Sequence, residues 1–142
     1  MIFAISAAIA GALAVTAWWM HGRITRPLAR PPLSAEERAY LPNVVLIDAR
    51  MSAADTPLGN TETYLDAQIV NRGPRTVREL DLQLEFFDLL NQVVLRQVSR
   101  SVRRDAAPLK PGETRSLHMV FEHMPTGWNQ APPVCTPVYV AF

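Results

Sequence analysis

Glu79-Leu80-Asp81-Leu82-Gln83-Leu84-Glu85-Phe86 reads ELDLQLEF, and this stretch decides the fold. Leucine or phenylalanine stands at every even position, and an acid or glutamine at every odd one. A period of two sends alternate side chains to opposite faces of an extended strand. Apolar-in, polar-out alternation is the mark of a half-exposed antiparallel sheet. A helix is incompatible with it, because a 3.6-residue period would scatter the four apolar residues around the axis.

The same reading extends outward in both directions. Before ELDLQLEF, Thr61 to Asn71 places Leu65, Ala67 and Ile69 on one face against Asp66, Gln68 and Val70, and Arg72-Gly73-Pro74 makes the turn. Earlier still, Asn43 to Met51 is rich in Val44, Val45, Leu46 and Ile47 and reads as a first strand, followed by a loop through Pro57 and Gly59. Downstream, Asp88-Leu89-Leu90-Asn91 turns the chain into a strand from Val93 to Arg103. Leu109-Lys110-Pro111-Gly112-Glu113-Thr114 is a tight turn into Arg115 to Glu122, with Leu117, Met119 and Phe121 inward. Val134 to Phe142 closes the series, and Pro137 confines it to an edge or a bulge. Six to seven strands with no helical pattern after residue 42 predict an all-β, immunoglobulin-like antiparallel β-sandwich over residues 43–142.

The N-terminal stretch follows other rules. Residues 1–20 carry no charged side chain, and at about 1.5 Å per residue they cover roughly 30 Å, the hydrocarbon thickness of a bilayer. A core helix would show periodic polar residues, and none are present. Trp18 and Trp19, followed by Arg23, Arg26 and Arg30, suit the headgroup interface. A cleaved leader would carry a basic segment ahead of its apolar run, and the sequence begins Met1-Ile2-Phe3. The expectation is one transmembrane α-helix over residues 1–22, with membrane lipid as a partner. The arginine flank places the N-terminus outside and the following domain in the cytoplasm, as a single-pass protein of a bacterial inner membrane. A periplasmic domain is the alternative. Ala7, Gly11 and Ala14 form a small-residue stripe suited to packing against other transmembrane subunits. Residues 23–42 read as a proline-rich linker, within which Ser34 and Glu37 have capping-box spacing for a helical turn from Ala35 to Tyr40.

Composition narrows the function. The chain has 142 residues and a formal net charge of +1, too little basic excess for a nucleic-acid footprint. One cysteine, Cys135, excludes an intrachain disulfide and any multi-cysteine metal site. His118, Glu122 and His123 do not share one face of a strand, so no metal site is expected. The serines within strands lack an elbow motif, and no glycine-rich phosphate loop is present. Neither a catalytic constellation, a cofactor nor a small-molecule substrate is therefore expected. Thirteen arginines stand against a single lysine. Arg96, Arg100, Arg103 and Arg104 form the densest cationic group, suited either to protecting an edge strand or to contact with anionic lipid or an acidic subunit. Trp128, in a proline-flanked loop, is either a plug over one end of the sandwich or a docking side chain.

YLDAQIVNRGPRTV from Tyr64, LEFFDLLNQVVLR from Leu84 and LKPGET from Leu109 together resemble the bacterial FxLYD-like β-sandwich domains, and the MPTGWNQAPP segment resembles membrane-anchored members of that type. The likeness spans roughly residues 43–142. It implies an immunoglobulin-like module attached to a single membrane span, and it brings no catalytic residues. Leu90-Asn91 departs from the pattern, which has a glycine there; asparagine tolerates the same left-handed turn. The two functional expectations are a non-catalytic accessory or interaction subunit of a larger membrane complex, respiratory or photosynthetic among the candidates, and a free-standing periplasmic or cell-surface binding module.

Overall fold

The computed structural model describes residues 30–57 and 59–142. The expected span at 1–22, with Ala7, Gly11, Ala14, Trp18 and Trp19, lies outside them, as do Arg23 and Arg26; Arg30 lies within them and is partly buried. No helix among the described residues is long and apolar enough to cross a membrane.

A short helix, α1 (Ala35–Tyr40), precedes six strands: β1 (Val44–Asp55), β2 (Thr61–Asn71), β3 (Glu79–Phe87), β4 (Val93–Val102), β5 (Thr114–Phe121) and β6 (Val134–Ala141). They form two antiparallel three-stranded sheets, β1-β2-β5 and β4-β3-β6. The chain changes sheet between β2 and β3, between β4 and β5, and between β5 and β6, so the sheets are interwoven. The alternating leucines do the joining. Leu65 and Ile69 of β2 and Leu80, Leu82, Leu84 and Phe86 of β3 are sealed from solvent in one shared core. Burying each is worth roughly 1.5–3 kcal/mol.

The strand bounds follow the alternation closely, and β2 runs over the expected residues. β1 is longer than its sequence suggests. Met51 to Asp55 have poor strand propensity, but they continue because Thr61 to Leu65 pair with them across a short hairpin. A bulge interrupts β1 between Ile47 and Arg50, where Asp48 is left-handed at φ 54°. Pro137 sits on an edge strand beside a register shift, as its missing N–H requires.

Two expectations need correction. The polar face of β3 is not solvated throughout: Glu79 and Asp81 are 6% and 4% exposed. β3 is the central strand of its sheet, flanked on both sides, and Arg104 reaches over Glu79 at 2.6 Å. The stretch before residue 43 is also more than a linker. The compact unit begins at Leu33, and α1 belongs to it.

The capping box forms as expected. Ser34 N–H donates to Glu37 Oε2 at 2.8 Å, and Glu37 N–H donates to Ser34 Oγ at 3.2 Å. The Ser34 N–H, and after it the Ser34 hydroxyl, favour the charged form and hold the Glu37 carboxyl below its ordinary pKa. The helix ends on Tyr40, which is buried against Asn71. Asn71 is fully buried and fully bonded. Its side chain accepts from Tyr40 Oη at 2.8 Å and Gly73 N–H at 3.2 Å, and donates to Arg75 O at 2.7 Å and Leu109 O at 3.1 Å. Gly73 is required by close approach: a Cβ there would lie 2.3 Å from Tyr40 Oη. Tyr40 also meets Phe142 edge-on at 5.0 Å, and Arg75 lies over that ring while pairing with Glu36. This knot ties α1, the turn after β2, the turn before β5 and the chain's last residue together at one end of the fold, here termed proximal.

Candidate functional site

The opposite, distal end is built from the β1–β2 hairpin, the β3–β4 turn and the long β5–β6 loop. Antiparallel pairing brings them together, since Asp55 faces Thr61, Thr63 faces Phe121 and Phe87 faces Val93. Phe86 of one sheet meets Phe121 of the other edge-on at 5.1 Å, closing the core.

Trp128 lies over that closure. Its ring meets Phe86 at 6.0 Å, its indole N–H donates to Ala131 O at 3.0 Å, and its backbone bridges Asp88. The indole is therefore a plug whose polar atom is satisfied within its own loop. Beside it runs a shallow groove of about 480 Å³ lined by Met51, Ala53, Thr63, Pro125 and Trp128 among others. Gly127 at φ 96° and Gln130 at φ 63° bend the loop around the indole. A left-handed non-glycine residue such as Gln130 carries a conformational cost and marks a segment fixed by its surroundings.

The β3–β4 turn projects next to it. Leu89 and Leu90 are 88% and 78% exposed, the two most exposed large apolar side chains among the described residues. The turn is well fixed. Asp88 Oδ1 accepts N–H bonds from Leu90 and Gln92, each at 2.8 Å, and Asn91 adopts the left-handed conformation expected of it, at φ 60°. Such a turn holds both leucines in place before any contact is made, so little ordering entropy remains to be lost on binding. The sequence carried this signal as an apolar pair inside an otherwise polar turn, and reading the segment only as a turn passed over it.

The distal end is acidic as well as apolar. Asp55, Glu62, Glu85, Asp88 and Glu122 stand there against Arg96, which is committed to Glu85 at 2.6 Å. The remaining arginines singled out from sequence are largely engaged too. Arg103 pairs with Asp105 at 2.9 Å and Arg104 with Glu79 at 2.6 Å; Arg100 is exposed, in register with Asp81. Arg96 and Arg100 lie on β4, an edge strand, and Arg103 and Arg104 follow its end.

His118 does not approach His123 as a metal ligand would. It pairs with Asp66 at 2.6 Å on the open face of the first sheet and stacks on Tyr64. No group of three potential ligands is present among the described residues. Cys135 is half-buried, and burial pushes its thiol up to about 11. That holds it as the neutral thiol at physiological pH. No protein-family model, no curated protein and no solved structure matches the chain.

Proposed function

We propose that the chain is a non-catalytic, single-span membrane protein whose immunoglobulin-like sandwich serves as an interaction subunit of a larger membrane complex. The observation that carries this reading is the Leu89–Leu90 pair, exposed yet held on a fixed turn beside the Trp128 groove. A monomer gains nothing from two solvated leucines at a turn tip, whereas burying them in a partner's apolar socket contributes roughly 1.5–3 kcal/mol each. The carboxylates around them call for a socket with a basic rim. The interwoven order of the two sheets and the FxLYD-like motifs support the immunoglobulin-like assignment. The uncharged run at residues 1–20 supports the anchor.

The test is gentle-detergent extraction from native membranes and identification of co-purifying chains. Leu89→Ser with Leu90→Ser abolishes recovery of the partner and leaves the melting temperature unchanged. Val98→Ser, another exposed apolar residue but on β4, leaves recovery intact. Equal recovery from both variants, or no co-purifying chain with the wild type, defeats the reading.

A further inference from the structure

We infer that the proximal end is a seat for an anionic phospholipid surface, formed by Arg38, Arg72, Arg78 and Lys110. These four side chains are exposed, and none takes part in an ion pair among the described residues. The Asn71 knot gathers them. Arg72 follows Asn71 directly, with its N–H donating to Asn43 O at 2.8 Å just beyond α1. Arg78 adjoins Val77, which bridges Leu109, the neighbour of Lys110. Arg38 lies on α1 two residues before Tyr40, whose hydroxyl is bonded to Asn71.

The carboxylates of this end offset this basic crown only in part, being fewer, and each already holds a partner. Glu36 pairs with Arg75, Asp105 with Arg103 and Glu79 with Arg104. Glu37 is bound in the capping box, and Glu113 accepts from Lys110 N–H at 2.8 Å and from Arg115 at 2.7 Å. Eight basic side chains, from Arg38 to Arg115, therefore face five acidic ones at this end, while the distal end is acidic. The compact unit begins at Leu33, five residues before Arg38. Each Lys or Arg brought to an anionic leaflet strengthens attachment by about fivefold. Four together hold the fold with its proximal end against the bilayer and the Leu89–Leu90 tip away from it. The inference rests on the anchored reading above for its placement at a membrane.

Lys110 is the sole lysine in the chain, so amine acetylation reads the crown at one position. The full chain is reconstituted in nanodiscs of phosphatidylcholine alone or with one third phosphatidylglycerol, and Lys110 acetylation is followed by peptide mass spectrometry. The expected result is a reaction slower by about fivefold or more on the phosphatidylglycerol discs, the effect of one cation at the surface, and loss of the difference in about 0.5 M salt, where surface charge is screened. Arg72→Gln with Arg78→Gln removes most of that protection, and the salt arm needs no variant should this one fold poorly. Equal Lys110 rates on the two discs overturn the inference. Retention of the chain on the discs through a high-salt wash reports the anchor separately, so the two readings fail independently.

Discussion

Asn71→Ala tests the proximal knot. Asn71 is wholly buried and makes four side-chain hydrogen bonds, and the consequences of its loss differ among its partners. Arg75 O lies 3.0 Å from Tyr40 Oη and takes its one hydroxyl hydrogen once Asn71 Oδ1 is gone, and Leu109 O keeps the bond from Val77 N–H at 2.9 Å. Gly73 N–H loses its side-chain acceptor, and Tyr40 Oη keeps only Arg75. One orphaned buried donor costs about 1–3 kcal/mol, and the weakened partners and the small void bring the total to roughly 2–4 kcal/mol. For a unit of this size about 1 kcal/mol shifts Tm by about 4 °C, so a fall of roughly 8–16 °C is expected. Thermal unfolding of the full chain in detergent, followed by near-ultraviolet circular dichroism, measures it. Asn71→Asp adds a sign. It retains the two accepting roles but turns a carboxyl toward two carbonyls, and burial there favours the protonated form. A carboxyl raised in the folded state contributes fully below its unfolded pKa and loses that contribution as pH rises through the folded one. Relative to wild type, Asn71→Asp is therefore least stable at neutral pH and recovers toward about pH 4, near the unfolded Asp value. A drop below about 4 °C for Asn71→Ala, the equivalent of 1 kcal/mol, would refute the assignment of Asn71 as the tie between these segments.

Two further outcomes follow from the same geometry. Gly73→Ala places a Cβ against the Tyr40 ring and lowers Tm sharply in the wild type, but has little effect in a Tyr40→Ala background; similar penalties in both, measured by the same melts, would locate the strain elsewhere. Cys135, with its thiol raised from 9.0 to about 11, reacts with iodoacetamide at pH 8 about 100-fold more slowly in the folded chain than after unfolding, and about tenfold faster for each pH unit up to 10; a rate independent of folding would show the burial to be unimportant.

β2, β3 and β5 were legible because they are amphipathic with a period of two, and the other strands because apolar, β-branched runs lie between turns that carry their own chemistry. Asn91 takes its left-handed conformation for the reason its sequence context implies, and Ser34 with Glu37 closes α1 from four residues of local information. The sites were less legible, and the physical cause is topological. Arg96, Arg100, Arg103 and Arg104 stand out as a group because they are close in sequence. Strand pairing then sets Arg96 beside Glu85, while Arg104 reaches the buried Glu79. Arg38, Arg72, Arg78 and Lys110 are scattered along the chain, and only the Asn71 knot brings them to one end. Likewise, the polar face of β3 looks solvated when read alone, and Glu79 is covered where Arg104 reaches across to it from beyond β4.

The two ends of the fold divide chemically along the axis that the strands define. Near Asn71 the carboxylates are held as acceptors: Glu37 and Glu113 each bind backbone N–H groups, and both carboxyls are held below their ordinary pKa by those bonds. Acceptors used in this way still carry charge but are held against the backbone, while Arg38, Arg72, Arg78 and Lys110 are exposed. At the distal end carboxylates outnumber cations: Asp55, Glu62, Asp88 and Glu122 stand around Leu89, Leu90 and Trp128, and the one arginine there, Arg96, pairs with Glu85. A domain attached through its N-terminal side to an anionic surface is repelled there by its own acidic tip and drawn by its basic end, so the charge distribution acts with the tether rather than against it. The rigidity of the knot matters for the same reason. Tyr40 packed against Gly73 and Asn71 leaves α1 little freedom to pivot, and an orientation set at Arg72 and Lys110 is carried through the shared core to Leu89 and Leu90 without a hinge between them.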